Sequence, residues 1–158
     1  MAEHTADVIW HRREAPFTDN RYSRAHIWEF DGGVTVAASS SPQVIPLPLS
    51  VAEAVDPEEA FVASLSSCHM LWFLSIAAKR GFVVEGYRDR AVGVMGRDPS
   101  GSQAMTIVTL RPETEFVSST RPTPEEMLAM HYEAHSKCFI ANSVKSEIRC
   151  EPVGQEVL

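Results

Sequence analysis

The amino-acid sequence predicts an α+β fold, in which helices and mainly antiparallel strands occupy separate stretches of the chain. Three observations support this prediction: two strand-like stretches are each divided by a turn signal, two helix-start motifs occur, and one long segment lacks charged side chains. Taken along the chain, these signals predict the order ββ-α-ββ-α-β. We expect residues 1–158 to form a single domain, because 158 residues is a typical domain size.

The composition argues against nucleic acid as a partner and indicates a location in the cytoplasm. A net charge of −7 argues against nucleic acid, because non-specific binding to phosphates needs clustered Lys and Arg. The first residues carry acidic side chains and a histidine where a secretory signal needs a basic start and an apolar core. Three cysteines spread over positions 68–150 do not form a disulfide framework. We therefore expect a cytoplasmic protein.

Residues 21–41 predict the first pair of strands. Aromatic and β-branched residues lie on both sides of the turn signal DGG at residues 31–33. The next stretch, residues 42–50, contains three prolines, which cannot donate hydrogen bonds to a sheet. We expect that stretch to be an edge strand or an extended loop that leads into a helix.

Residues 56–81 predict a long central helix. It begins at the motif DPEE, residues 56–59, which supplies a capping residue, an early proline and acidic side chains near the positive end of the helix dipole. It ends at KRG, residues 79–81. Apolar residues occupy nearly every face in between, which predicts burial on all sides. Because a small sheet covers one side only, we expect a homodimer in which a second subunit covers the rest.

The same helix contains nineteen residues, 60–78, without Asp, Glu, Lys or Arg, which is long enough to span a membrane. Four serines and His69 lower its hydropathy, and no other such span occurs. We therefore favour a buried core helix over a membrane span.

The second half of the chain repeats the pattern. Residues 82–95 and 104–116 predict a second hairpin around a dense turn cluster. The motif TPEE at residues 123–126 predicts a second helix that runs close to Cys138. Residues 144–153 predict a short final strand.

Two cysteines are the main candidates for chemistry. Cys68 lies midway along the central helix, and Cys138 lies at the end of the second helix. Their separation excludes a Cys-x-x-Cys motif, but packed helices can bring distant thiols within disulfide distance. One thiolate would then attack a peroxide and form a sulfenic acid, which the other thiol would convert to a disulfide. The alternative for Cys68 is a small apolar residue in a core helix.

The surroundings of Cys138, Cys150 and His131 in the sequence indicate different roles for them. His135 and Lys137 lie beside Cys138, and a nearby cation lowers the pKa of a thiol. Cys150 lies in the last predicted strand and is expected to be structural. His131 shares a helix face with His135, but the sequence implies no further metal ligand. We therefore predict no metal ion and no cofactor.

Two segments resemble the OsmC/Ohr family, the osmotically inducible and organic hydroperoxide resistance proteins. They are DPEEAFVASLSSC at residues 56–68 and AHSKCFIANS at residues 134–143. The resemblance implies an OsmC-like α+β fold in which two subunits intertwine around central helices, with active sites at the dimer interface. It also implies the reduction of organic hydroperoxides by thiols.

The resemblance further implies a role for individual residues. Cys68 becomes the attacking thiolate, Cys138 the resolving thiol, and Glu58 the acid that orients an activating arginine. Ten residues of helix rise by about 15 Å, so Glu58 must act through a third group or across the interface. The other interpretation of Glu58 is a first-turn carboxylate that stabilises the helix dipole.

The sequence departs from the family pattern at the activating arginine. The family has this arginine before the central helix, but residues 32–55 contain none. Arg21, Arg24 and Arg111 are substitutes, and we favour Arg24 because it lies on the first hairpin. A buried Cys68 without a nearby cation would hold its proton and react slowly.

The sequence thus predicts a peroxidase that uses an external thiol reductant and has no nucleic-acid or membrane partner. A different class of function on the same fold is a protein that binds a small apolar or electrophilic ligand with little turnover. A third is a thiol redox sensor with a protein partner.

Overall fold

The computed structural model describes residues 1–117, 119 and 121–154. The chain forms two compact units, Met1–Ala60 and Phe61–Leu158. Residues 155–158 of the predicted domain 1–158 lie outside the described ranges. The elements are strands β1 (Ala6–Ile9), β2 (His26–Phe30) and β3 (Thr35–Ala38), helix α1 (Pro57–Lys79), strands β4 (Val84–Asp89), β5 (Val92–Arg97), β6 (Gln103–Leu110) and β7 (Pro112–Phe116), helix α2 (Pro124–Lys137) and strand β8 (Glu147–Cys150).

The first unit contains a three-stranded antiparallel sheet in the order β1-β2-β3. Its β2–β3 hairpin confirms the predicted strand pair, and the turn uses Gly33 at a φ of 81°, which favours glycine. Strand β1 was not predicted, because its four residues carry no turn signal and three of them are exposed.

Helix α1 begins where the sequence predicts. The backbone N–H of Glu59 donates to the Asp56 carboxylate at 2.7 Å, and the Glu59 carboxylate accepts from the backbone N–H of Asp56 at 3.2 Å. This reciprocal capping box supplies partners for backbone donors that a helix start leaves free. At the other end, Gly81 has a φ of 82° just after the last turn, as a terminating glycine does.

The predicted second hairpin is present but is divided between two sheets. Strands β5 and β6 pair antiparallel, and β4 and β7 continue the same hairpin as a separate pair. The division falls at Arg111, whose backbone N–H donates to the Asp89 carboxylate at 2.6 Å instead of to a sheet neighbour. The predicted order ββ-α-ββ-α-β is therefore corrected to βββ-α-ββββ-α-β among the described residues, and β8 pairs in parallel with β6.

Helix α1 packs against two groups of buried residues within the second unit. One group joins the second half of α1 to α2 and β7, and the other joins the first half to β6. Gly93 on β5 lies so close to α1 that a Cβ there would be 2.6 Å from Val62 and 2.5 Å from Met105. The fully buried members include Leu65, Phe73, Ala77, Val108, Leu110, Met130 and Ala134.

The chain alone does not bury α1 on all sides. Leu71 is 63% exposed, and only 28% of the most apolar 18-residue window is buried. Among the described residues, α1 is the one helix long and apolar enough to cross a membrane, a test that the core helix of a soluble protein also passes. A covering partner subunit stays a prediction.

Candidate active site

The middle of α1 and the end of α2 bring the predicted cysteines together. Cys68 lies in the middle of α1 and is half-buried, whereas Cys138 caps the C-terminus of α2 and is 1% exposed. The two thiols are near enough for Cys68 to raise the pKa of Cys138, and neither is in a disulfide. Neighbouring thiols can form a disulfide when their Cα and Cβ atoms lie at the required separations.

The pKa of Cys138 is raised well above its ordinary value, which corrects the expectation drawn from Lys137. Burial is the main cause, and the neighbouring Cys68 thiol adds to it. The Lys137 ammonium is instead held by the Glu133 carboxylate at 2.6 Å. A hydrogen bond from the Ala141 N–H to the Cys138 sulfur, 3.4 Å long, lowers the pKa but does not reverse the shift. Cys138 therefore keeps its proton at neutral pH.

An aromatic pair flanks the thiols. Trp72 follows Cys68 by four residues and so shares its face of α1. Phe139 directly follows Cys138, is 69% exposed, and meets Trp72 edge to face at 5.5 Å between ring centroids. The surroundings of the thiol pair are thus partly apolar and accessible.

The other two predicted site residues lie in the first unit. The Arg24 guanidinium donates to the Asn20 side chain at 2.8 Å and to the carbonyl of Tyr22, and it lies 3.8 Å from the centre of the Tyr22 ring. Glu58 lies in the first turn of α1, between the two members of the capping box. The roles of Arg24 and Glu58 toward Cys68 stay predictions.

A second cluster, which the sequence analysis did not assemble, lies in the second unit. The His69 Nε2 and His131 Nδ1 atoms are 3.0 Å apart, and the Cys150 Sγ lies 3.7 Å from the His69 Nε2. From the sequence alone, His131 is grouped with His135, which lies one helix turn away. Nothing in the sequence links three residues that come from α1, α2 and β8, because only the packing of these elements brings them together.

The electrostatics of this cluster follow from burial. Burial, with a smaller contribution from His135, lowers the pKa of His69 to about 4. Burial and the neighbouring His69 lower the pKa of His131 to about 3. Both imidazoles are therefore neutral at pH 7. Burial and the carboxylates of Asp89 and Glu151 raise the pKa of Cys150 to about 12, so it is a thiol.

A cavity of about 550 Å³ opens beside this cluster, and neither Cys68 nor Cys138 lines it. It does not coincide with the aromatic residues Trp72 and Phe139 that flank Cys68 and Cys138. Its lining residues are Leu128, Ala129, His131, Tyr132, His135, Ile148, Cys150 and Pro152.

Comparison with known proteins defines the family. The model of the OsmC-like protein family matches residues 50–152. The structure of an OsmC-like protein of unknown function from Vibrio cholerae is 55% identical, with a TM-score of 0.95 over 97% of this chain and 100% of that chain. No curated protein matches the sequence.

More distant structures share the fold. An organic hydroperoxide resistance protein from Elizabethkingia anophelis is 15% identical, with a TM-score of 0.70 over 96% of this chain and 94% of that chain. The organic hydroperoxide resistance protein OhrB of Bacillus subtilis is 17% identical, with a TM-score of 0.65 over 96% and 98%. The family match over residues 50–152, together with these structures, shows that the chain is a member of the OsmC/Ohr family.

Proposed function

We propose that the protein is a thiol-dependent peroxidase that reduces organic hydroperoxides. The observation that carries this proposal is the proximity of the Cys68 and Cys138 thiols, through which Cys68 raises the pKa of Cys138. Three free cysteines are present, and this pair joins the middle of one helix to the end of another. A pair of neighbouring thiols is the arrangement that reversible oxidation to a disulfide requires.

The reaction would proceed in three steps: oxidation of Cys68, formation of the disulfide, and its reduction. The Cys68 thiolate attacks the terminal oxygen of the hydroperoxide, the O–O bond breaks, and the alcohol leaves with a proton while Cys68 becomes a sulfenic acid. The Cys138 sulfur then attacks the Cys68 sulfur, so that an S–S bond forms and water leaves. An external dithiol returns two electrons and restores both thiols.

The surroundings of the two cysteines indicate which of them reacts first with the hydroperoxide. Cys68 is half-buried and so can meet a substrate, whereas Cys138 is almost completely buried. The raised pKa of Cys138 keeps it protonated and makes it a poor first nucleophile. This supports Cys68 as the attacking thiol and Cys138 as the resolving thiol.

The flanking side chains favour an organic substrate over hydrogen peroxide. Trp72 and Phe139 offer apolar surface beside the thiols, which a hydrocarbon group would cover and hydrogen peroxide would not. Two structures that share the fold are of proteins named for organic hydroperoxide resistance. We further propose that the enzyme works as a cytoplasmic homodimer, with Glu58 and Arg24 assisting the activation of Cys68.

Mass spectrometry after one equivalent of cumene hydroperoxide tests the roles of the cysteines. Wild-type protein should lose two protons, with the disulfide mapped to Cys68 and Cys138 and with Cys150 still a thiol. Cys138→Ser should instead gain one oxygen at Cys68, because no second thiol resolves the sulfenic acid. Sulfonic acid at Cys68 alone in the wild type would rule out the resolving role of Cys138.

Steady-state turnover with a dithiol and cumene hydroperoxide tests the activity itself. Cys68→Ser should fall to the rate of the buffer, a loss of several orders of magnitude, because the nucleophile is gone. Ser67→Ala is the matched control, since it alters the neighbouring exposed residue of the same helix and should keep wild-type turnover. Equal rates for wild type and a folded Cys68→Ser would refute the proposal.

A thiol redox sensor is the second candidate, and the engagement of Arg24 favours it. A cation already held by Asn20 and Tyr22 is less available to activate a thiol. A sensor would form the same disulfide in minutes to hours with no sustained turnover. The ratio of the rate of disulfide formation to the rate of turnover separates the two functions.

A further inference from the structure

His69, His131 and Cys150 form a compact set of soft donor atoms inside the second unit. One donor atom from each residue can be chosen so that all three lie within 4.8 Å of one another. His69 is 1% and His131 is 3% exposed, and Cys150 is half-buried. His131 follows His69 by 62 positions in sequence, and Cys150 follows it by 81. The packing of α1, α2 and β8 therefore brings the three residues together.

The spacing of the donor atoms is close to that around a tetrahedral metal ion. A Zn²⁺ ion with bonds of about 2.0–2.3 Å to nitrogen and sulfur holds its donors roughly 3.3–3.8 Å apart. The nitrogen atoms of His69 and His131 are 3.0 Å apart, and the Cys150 sulfur is 3.7 Å from the His69 nitrogen. The third pair, the His131 nitrogen and the Cys150 sulfur, lies within 4.8 Å, so metal binding would draw these two atoms together by up to about 1 Å.

The protonation of the rings does not oppose a metal ion. The outer nitrogens, His69 Nδ1 and His131 Nε2, are buried and have no hydrogen-bond partner among the described residues. No neighbouring group in the described part of the chain donates a hydrogen bond to His69 Nδ1 or His131 Nε2, so each of these atoms can carry the proton of its ring. The other nitrogen of each ring then has a free lone pair for a metal ion. Neutral imidazoles are the form that binds metals.

The local charge favours a cation. Burial, and after it the carboxylates of Asp89 and Glu151, raise the pKa of Cys150 and hold the proton on its sulfur. A bound dication would favour loss of that proton, because it stabilises the Cys150 thiolate directly. The same carboxylates also attract the dication. Cys150 contacts only the His69 nitrogen of the histidine pair, at 3.7 Å.

We propose that His69, His131 and Cys150 bind a divalent transition-metal ion of the Zn²⁺ type, with a fourth position that faces the cavity beside α2. Two imidazoles and one thiolate form a donor set that is typical of zinc and cobalt. His131 and Cys150 line the cavity, so water can reach the fourth position from there. This site is separate from the thiol pair, although His69 directly follows Cys68.

Cobalt spectroscopy tests the site in a Cys68→Ser/Cys138→Ser background, where Cys150 is the one remaining thiol. Chelator-treated protein of this background should bind one equivalent of Co²⁺ with the visible bands of a tetrahedral ion and a sulfur-to-cobalt charge-transfer band. Zn²⁺ should displace the Co²⁺ and abolish both signals. A folded background protein that shows neither signal would overturn the proposal.

The triple variant with Cys150→Ser identifies the sulfur ligand. It should lose the charge-transfer band and bind Co²⁺ at least tenfold more weakly, whereas an unchanged band or affinity would contradict the site.

Alkylation tests the same ligand without a substitution at Cys150. In the double-serine background, Zn²⁺ should slow the reaction of Cys150 with iodoacetamide at least tenfold, and an unchanged rate would refute ligation even if the triple variant fails to fold. The background lacks both proposed redox thiols, so the outcome is independent of peroxidase activity.

Discussion

At the scale of single residues, two buried histidines make the stability of the metal-free protein depend on pH. His69 and His131 have a pKa near 6.5 when unfolded and about 4 and 3 when folded. The groups that face them are His135 on α2 and Cys150 on β8. Between pH 6.5 and 4 the unfolded chain binds more protons than the folded one, so stability falls as the pH falls.

We therefore expect chelator-treated protein to keep its full free energy of unfolding above about pH 6.5 and to lose about 1.4 kcal/mol per histidine for each unit below it. Urea unfolding at pH 7.5, 5.5 and 4.5 measures this slope. The matched control is His4→Gln, because His4 is exposed and its removal should leave the slope unchanged. A free energy that stays constant between pH 7.5 and 4.5 would contradict the burial of neutral histidines.

The candidate residues differed in how far the sequence could predict them. Cys68 and Cys138 could be predicted as candidates because each lies in a local motif that a short stretch of sequence carries. The raised pKa of Cys138 could not be predicted from Lys137, because burial outweighs the adjacent cation and Glu133 holds that cation. The grouping of His69 with Cys150 depends wholly on tertiary packing, so local spacing gave no sign of it.

At the scale of elements, Gly93 sets how closely strand β5 approaches helix α1. A methyl group at this position would lie 2.5 Å from the Met105 sulfur and 2.6 Å from Val62, far inside van der Waals contact. Met105 can move aside, but the branched Val62 on a helix has one favoured rotamer. The helix and the strand must therefore separate to admit a side chain.

We expect Gly93→Ala to lower the free energy of unfolding by about 1–3 kcal/mol through overpacking. Urea unfolding at constant pH measures the difference. Gly32→Ala is the matched control, because a methyl group there meets nothing within 4 Å, and the expected change is within about 0.5 kcal/mol. Equal stabilities for Gly93→Ala and wild type would show that α1 does not depend on this close approach.

The sequence predicted helices better than sheets for a physical reason. The start of α1 is encoded by the capping pair Asp56 and Glu59, and α2 begins at an equivalent pair, Thr123 and Glu126. The division of the second hairpin depends on the Asp89 side chain, which receives a backbone N–H from Arg111 across the hairpin. Such long-range contacts leave no local pattern, so two longer strands were predicted where four exist.

At the scale of the whole molecule, the apolar residues of α1 that the chain leaves exposed support the predicted homodimer. Leu71 on α1 is 63% exposed, and Phe139, near the thiol pair, is 69% exposed. Apolar surface of this kind on an otherwise apolar helix is stabilised when a second copy covers it.

We expect Leu71→Glu to weaken the dimer at least tenfold, because a buried charge without a partner opposes association. Sedimentation equilibrium over a range of protein concentrations measures the dissociation constant. The control is Val94→Glu, which adds the same charge to a 48% exposed valine on β5. A wild-type chain that stays monomeric at high concentration would contradict the dimer.

The position of Cys68 next to His69 restricts how this protein can evolve. Consecutive residues of α1 serve the thiol pair and the histidine cluster, and α2 supplies a member to each through Cys138 and His131. A small rotation of α1 that improved one arrangement would displace the other. Substitutions between these helices should therefore be tolerated only in compensating pairs, and sequence drift in the family should be slower there than on the surface of the same helices.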